Sequence, residues 1–88
     1  MAANPKYGTE FPTTFPIKAI GKDEPDFPTL VIEIVRRHTV VDESKIEVRP
    51  SSASNYISVT IIIEAESKQQ LDTIYQELND NPQVLMTL

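Results

Sequence analysis

Apolar residues recur along this chain with a period of two in some stretches and near 3.6 in others, and each change of period marks an element boundary. In Phe15-Pro-Ile-Lys-Ala-Ile20, Phe15, Ile17 and Ala19 fall on one side and Lys18 on the other, the pattern of a half-buried strand that Gly21 ends. Asp23, Glu24, Pro25 and Asp26 follow. Carboxylates suit the positive end of a helix dipole and proline fits a first turn, so this cluster is read as a helix start. Phe27, Leu30, Val31, Ile34, Val35 and His38 then lie at helical spacing and form one stripe, with Glu33, Arg36 and Arg37 off it. Its many β-branched residues lower helix propensity, so packing has to hold this helix.

Residues 40–44 form a connection to Lys45-Ile-Glu-Val-Arg49, a strand with Ile46 and Val48 inward that Pro50 stops. Residues 50–55, Pro-Ser-Ser-Ala-Ser-Asn, are turn-rich. From 56 to 64 the chain alternates again, with Ile57, Val59, Ile61 and Ile63 on one face, so the two strands make a hairpin. Ser67-Lys-Gln-Gln70 matches a capping box, in which the serine hydroxyl and the Gln70 side chain satisfy each other's free backbone N–H groups. Leu71, Ile74, Tyr75 and Leu78 give a second helical stripe, which Asn79-Asp-Asn-Pro82 terminates before a last short strand, Val84-Leu-Met-Thr-Leu88.

The order β-α-β-β-α-β predicts an α+β, ferredoxin-like sandwich: a four-stranded antiparallel sheet with both helices on one face. Right-handed crossovers place the first and third strands in the centre. The third is the most apolar, as a central strand should be, and the second carries Lys45, Glu47 and Arg49, charges that protect a sheet edge. The other edge, 84–88, has no charged side chain and is therefore a candidate for homodimerisation by sheet extension.

Composition narrows the rest. Eighty-eight residues allow one domain, expected to span 13–88 behind a loose polar leader at 1–12. With no cysteine there is neither a disulfide nor thiolate chemistry, so stability must come from the core. The longest apolar run, Ile61-Ile-Ile63, is far short of the roughly 20 residues that span a bilayer. The start of the chain lacks an export signal, and the expected compartment is the cytoplasm. A net charge of −5, from 8 basic and 13 acidic residues, opposes phosphate backbones. The outward residues of the third strand, Tyr56, Ser58, Thr60 and Ile62, offer one aromatic ring where RNA-binding sheets stack bases on several, so no nucleic acid partner is expected.

Catalytic chemistry finds little support in the chain. His38 is the single histidine, and no second histidine or cysteine stands at ligand spacing, so it reads as a half-buried helix-end residue. Ser51, Ser52, Ser54 and Ser58 lack a positioned base, and turn hydrogen bonding accounts for most of them. No cofactor or metal is indicated. The unusual cluster runs from Arg49 to Ser58, where Arg49, Ser51, Ser52, Asn55 and Tyr56 gather a guanidinium, hydroxyls, an amide and a phenol on one hairpin. Such a group could hold a small anion or carboxylate, with Arg49 as an isolated positive charge.

The segments Glu10-Phe-Pro-Thr-Thr-Phe15, Lys18-Ala-Ile-Gly21, Val35-Arg-Arg-His38, Arg49-Pro-Ser-Ser52, Asn55-Tyr-Ile-Ser-Val59 and the ending at 84–88 resemble the YbeD family of small bacterial proteins of unknown function. The resemblance spans 10–88 and departs at Ser54, where the family usually has glycine. It implies a ferredoxin-like fold related to small-molecule-binding ACT regulatory domains, a bacterial cytoplasmic setting and no assigned reaction. In ACT modules a glycine-bearing loop after the first strand commonly contacts effectors; Gly21 and Lys22 stand at the corresponding position. The expectation is a non-enzymatic regulatory module that binds a small ligand at Gly21 and Lys22 or at the hairpin. The alternative is a protein-interaction adaptor using the sheet face or the edge strand.

Overall fold

The period-two stretches pair as their apolar faces require. In a computed structural model that describes residues 10–51 and 55–88, the chain forms β1 (Thr13–Lys22), α1 (Phe27–Arg36), β2 (Ile46–Pro50), β3 (Tyr56–Ala65), α2 (Lys68–Asp80) and β4 (Val84–Thr87). One sheet holds the strands in the order β2-β3-β1-β4, every neighbour antiparallel. This is the expected ferredoxin-like order, with β1 and β3 central. A single 3₁₀ turn, Glu43–Lys45, enters β2, capped by the Asp42 side chain accepting from the Ser44 N–H. Bonds from Ser44 hold the Asp42 carboxyl below its ordinary value.

Ile57, Val59, Ile61 and Ile63 of β3 are all buried. Ile61 stands opposite Ile17 of β1 and Ile46 of β2, which makes it the middle of a three-strand apolar row. Over this face α1 buries Phe27, Val31, Ile34 and Val35, and α2 buries Leu71, Ile74, Tyr75 and Leu78. The Phe15 and Tyr75 rings meet edge to face, with centroids 6.4 Å apart. The Tyr75 hydroxyl donates to the Leu88 carbonyl at 2.9 Å, and burial pushes its pKa up to about 12. Phe11, in the expected leader, packs against this core, and residues 1–9 lie outside the described residues. Among the described residues no helix is long and apolar enough to cross a membrane.

Four local expectations are corrected. Gly21 does not end β1: it and Lys22 are its last residues, paired with Ile57 and Tyr56. The acidic cluster does not cap α1, because Asp26 sits at the N-cap position with helical dihedrals and its side chain makes no cap bond. An effective cap needs extended backbone there to aim the carboxylate at the next N–H groups. Pro28, rather than Pro25, occupies the first turn, and Glu24 contributes its carbonyl to the Phe27 N–H at 3.1 Å. Val48 points to the helix side but is 42% exposed, since α1 packs over β1 and β3 and the edge strand leaves this cover after Ile46. Helix α1 also ends at Arg36, leaving His38, the last residue of the expected stripe, just past it.

The start of α2 forms half as expected. Ser67 Oγ accepts from the Gln70 N–H at 3.0 Å, but Gln70 Oε1 accepts from Glu66 N, at 2.8 Å, one residue before the serine of a regular box. Replacing the cap, Ser67→Ala, is expected to cost about 1 kcal/mol, a fall of roughly 4–8 °C in the melting temperature of a chain this size. Circular dichroism melting checks this, and an unchanged midpoint would show that the cap contributes nothing.

Candidate functional site

At the end of the sheet where β1 leaves for α1 and α2 returns to β4, the backbone leaves a cleft of about 280 Å³. Lys22, Glu24, Phe27, Pro82, Gln83 and Leu85 line it. Its geometry depends on Gly21. A Cβ placed there would lie 2.6 Å from both Phe27 Cζ and the Gln83 carbonyl oxygen, so only glycine lets the ring and the α2–β4 turn close down on β1. That turn is set locally: Asn81 Oδ1 accepts from the Gln83 N–H at 2.9 Å and the Asn81 carbonyl from the Val84 N–H at 3.0 Å. On the other side, the Asp23 N–H donates to the Asn55 carbonyl at 3.1 Å and joins the exit of β1 to the β2–β3 hairpin.

The structure therefore brings Gly21, Lys22, Asn55 and Tyr56 to one end of the sheet, with Lys22 and Tyr56 as cross-strand partners. Ser51 closes the hairpin by donating its N–H to the Tyr56 carbonyl at 2.8 Å and accepting from the Tyr56 N–H at 3.3 Å. Ser52 and Ser54 lie outside the described residues. Arg49 is not the isolated cation expected: its guanidinium donates to Glu47 Oε2 at 3.0 Å on an exposed stretch of β2. Charges two apart on a strand share a face, which is why the two meet.

His38 is partly buried, as expected, and meets an acidic partner from the other helix. Its Nε2 lies 2.7 Å from Glu77 Oε1, and Arg37 pairs with the same carboxylate. The Gln70 amide donates to the His38 carbonyl at 3.3 Å, so the end of α1 is tied to α2 at two points. Glu77 is 39 residues from His38, and no local spacing could have named it. Among the described residues, no group of three or more His, Cys, Asp or Glu could hold a metal.

Residues 6–88 match the family described as "Protein of unknown function (DUF493)". The chain belongs to the DUF493 family. Curated relatives are UPF0250 proteins, uncharacterised, in agreement with the resemblance read from the sequence. The one from Paraburkholderia phytofirmans is 44% identical over 80 residues, covering 90% of this chain and 90% of its own. UPF0250 protein NE1487 from Nitrosomonas europaea is 42% identical, covering 90% of this chain and 92% of its own. UPF0250 protein RSc0326 from Ralstonia nicotianae is 38% identical, with 90% and 82% covered. Among solved structures, protein HP0495 from H. pylori superposes with a TM-score of 0.71 at 16% identity, over 100% of this chain and 94% of that one. At that identity the likeness is one of fold. For a DUF493 chain, what the cleft does has to be argued from its own side chains.

Proposed function

We propose that this chain is a non-enzymatic regulatory module of the bacterial cytoplasm that takes a small ligand in the cleft beside Gly21. The observation that carries this reading is the lining of that cleft. Lys22 and Glu24 put opposite charges at its rim, and Phe27, Pro82 and Leu85 supply apolar wall. Drug-sized ligands occupy sites of roughly 300–1,000 Å³, so about 280 Å³ suits something smaller. Amino acids and short carboxylic acids fit the chemistry: a carboxylate for Lys22, an ammonium for Glu24 and a short carbon chain against Phe27. Arg49 takes no part in this reading, because Glu47 already holds it.

Thermal-shift screening with amino acids and short carboxylic acids tests the proposal. A ligand at about 100 times its Kd adds about 2.7 kcal/mol to the folded state, which in a chain this size is a rise of roughly 10–20 °C. Lys22→Ala should remove most of that rise for a carboxylate ligand while leaving the unliganded melting point unchanged. A panel that stabilises nothing overturns the reading.

A further inference from the structure

The two edges of the sheet are chemically unlike. The outer strand β2 and its approach carry Lys45, Glu47 and Arg49, whereas residues 84–88 at the other edge have no ionisable side chain in a chain whose net charge is −5. Leu85, Met86 and Leu88 are 52%, 53% and 57% exposed there. The strand is nonetheless firmly seated. Met86 faces Ile20 across the β1 ladder, the Leu88 N–H donates to the Lys18 carbonyl at 3.0 Å, and Thr87 Oγ1 bonds Asn79 Oδ1 at 3.3 Å. Backbone groups alternate in direction along an antiparallel strand, so the N–H and C=O of Thr87 point away from β1. Leu85 has no counterpart in β1, because the register slips by one residue between Ile20 and Gly21.

We propose that a second copy of this chain pairs its β4 antiparallel to β4 across this edge, joining two four-stranded sheets into one. Strand 84–87 is suited to pairing with itself. With Leu85 opposite the partner's Thr87, the two-fold axis passes Met86, and Met86 meets its own copy on the outer face of the sheet. No like charges are set against each other in that arrangement. At the β2 edge, by contrast, Pro50 has no N–H to add to a ladder, and Glu47 and Arg49 already pair with each other within the strand. The contact is small: a short strand and three apolar side chains per copy fall below the roughly 1,200 Å² of a stable complex, so the dimer is weak and reversible. Because each copy also carries a net −5, salt screens their mutual repulsion and strengthens the pair, the opposite of a docking driven by unlike charges.

Sedimentation velocity over a concentration series, at low and high salt, reads the association, and amide NMR shifts locate it. The expected result is a mass rising toward that of a dimer, more steeply at high salt, with shifts concentrated at residues 84–88. M86K and M86E should each be monomeric at every concentration, because each opposes two like charges, and mixing them should restore a heterodimer. Should either variant unfold, M86R and M86D take its place, since only position 86 meets its own copy in this register. A wild-type chain that stays monomeric, association that persists in M86K, or a mixture of folded charge variants that fails to associate each overturns the proposal. Ligand binding at the cleft is read separately by thermal shift, so failure of one reading leaves the other standing.

Discussion

Gly21→Ala is expected to destabilise the fold by about 3 kcal/mol, the upper part of the range for overpacking a filled interior. The added methyl would sit 2.6 Å from a ring carbon of Phe27 and from the Gln83 carbonyl oxygen, distances that a real Cβ does not tolerate. Neither neighbour can easily yield. Phe27 is 1% exposed and wedged in the core, and the Gln83 carbonyl belongs to a turn held by Asn81 through two hydrogen bonds. Gly21 itself is pinned between Ile57 and Val84 in the sheet. Relief must come from pushing the α2–β4 turn or α1 away from β1, which opens the cleft as well. At 4–8 °C per kcal/mol, the melting temperature should fall by roughly 12–24 °C. Trimming the ring in the same chain should recover part of the loss, so Gly21→Ala with Phe27→Leu should cost less than the sum of the two single changes. Chemical denaturation of the four proteins checks this; a Gly21→Ala variant within about 0.5 kcal/mol of the parent would show that the close approach is not what holds this end together.

The same glycine shows what could be read in the residue order and what could not. Periodicity reports which face of each element is buried, and here it located both helices, all four strands and the central place of β3, because one core side organises every element. It does not report how far the helices cover the sheet, so Val48 has the alternation of an inward residue and is still exposed at the β2 edge. Capping chemistry was legible at Ser67, whose partner is three residues away, and misleading at Asp26, where the chain enters α1 through a tight turn with helical dihedrals. Contacts between distant segments left no local trace. Glu77 reaches His38 from the facing helix, and Pro82 and Gln83 reach Lys22 only because β4 lies beside β1. Half of the cleft is the β1–α1 side, where Lys22 is singled out by the family resemblance and not by periodicity or spacing. The other half required the strand order and the turn at Asn81.

Ile61→Ala should cost about 4 kcal/mol, within the 2–5 kcal/mol range for removing a large aliphatic side chain from a packed core. Ile61 is 0% exposed and sits between Ile17 and Ile46, so the lost atoms leave a hole bounded by three strands that cannot move together without breaking their ladders. A chain of 88 residues has roughly 4–13 kcal/mol of total stability, which means this one change is enough to unfold a substantial fraction of the protein near the lower bound. The adjacent position supplies the control. Ile62 lies on the opposite face, 37% exposed, and faces Pro16 across the ladder, so Ile62→Ala should cost less than about 1 kcal/mol. Two identical substitutions one residue apart thus differ severalfold because side chains alternate across a strand, and a slip of one residue in the β1–β3 register would exchange their effects. Urea denaturation of the pair reads the register directly: equal losses, or the larger loss at Ile62, would contradict the arrangement of β3 described above.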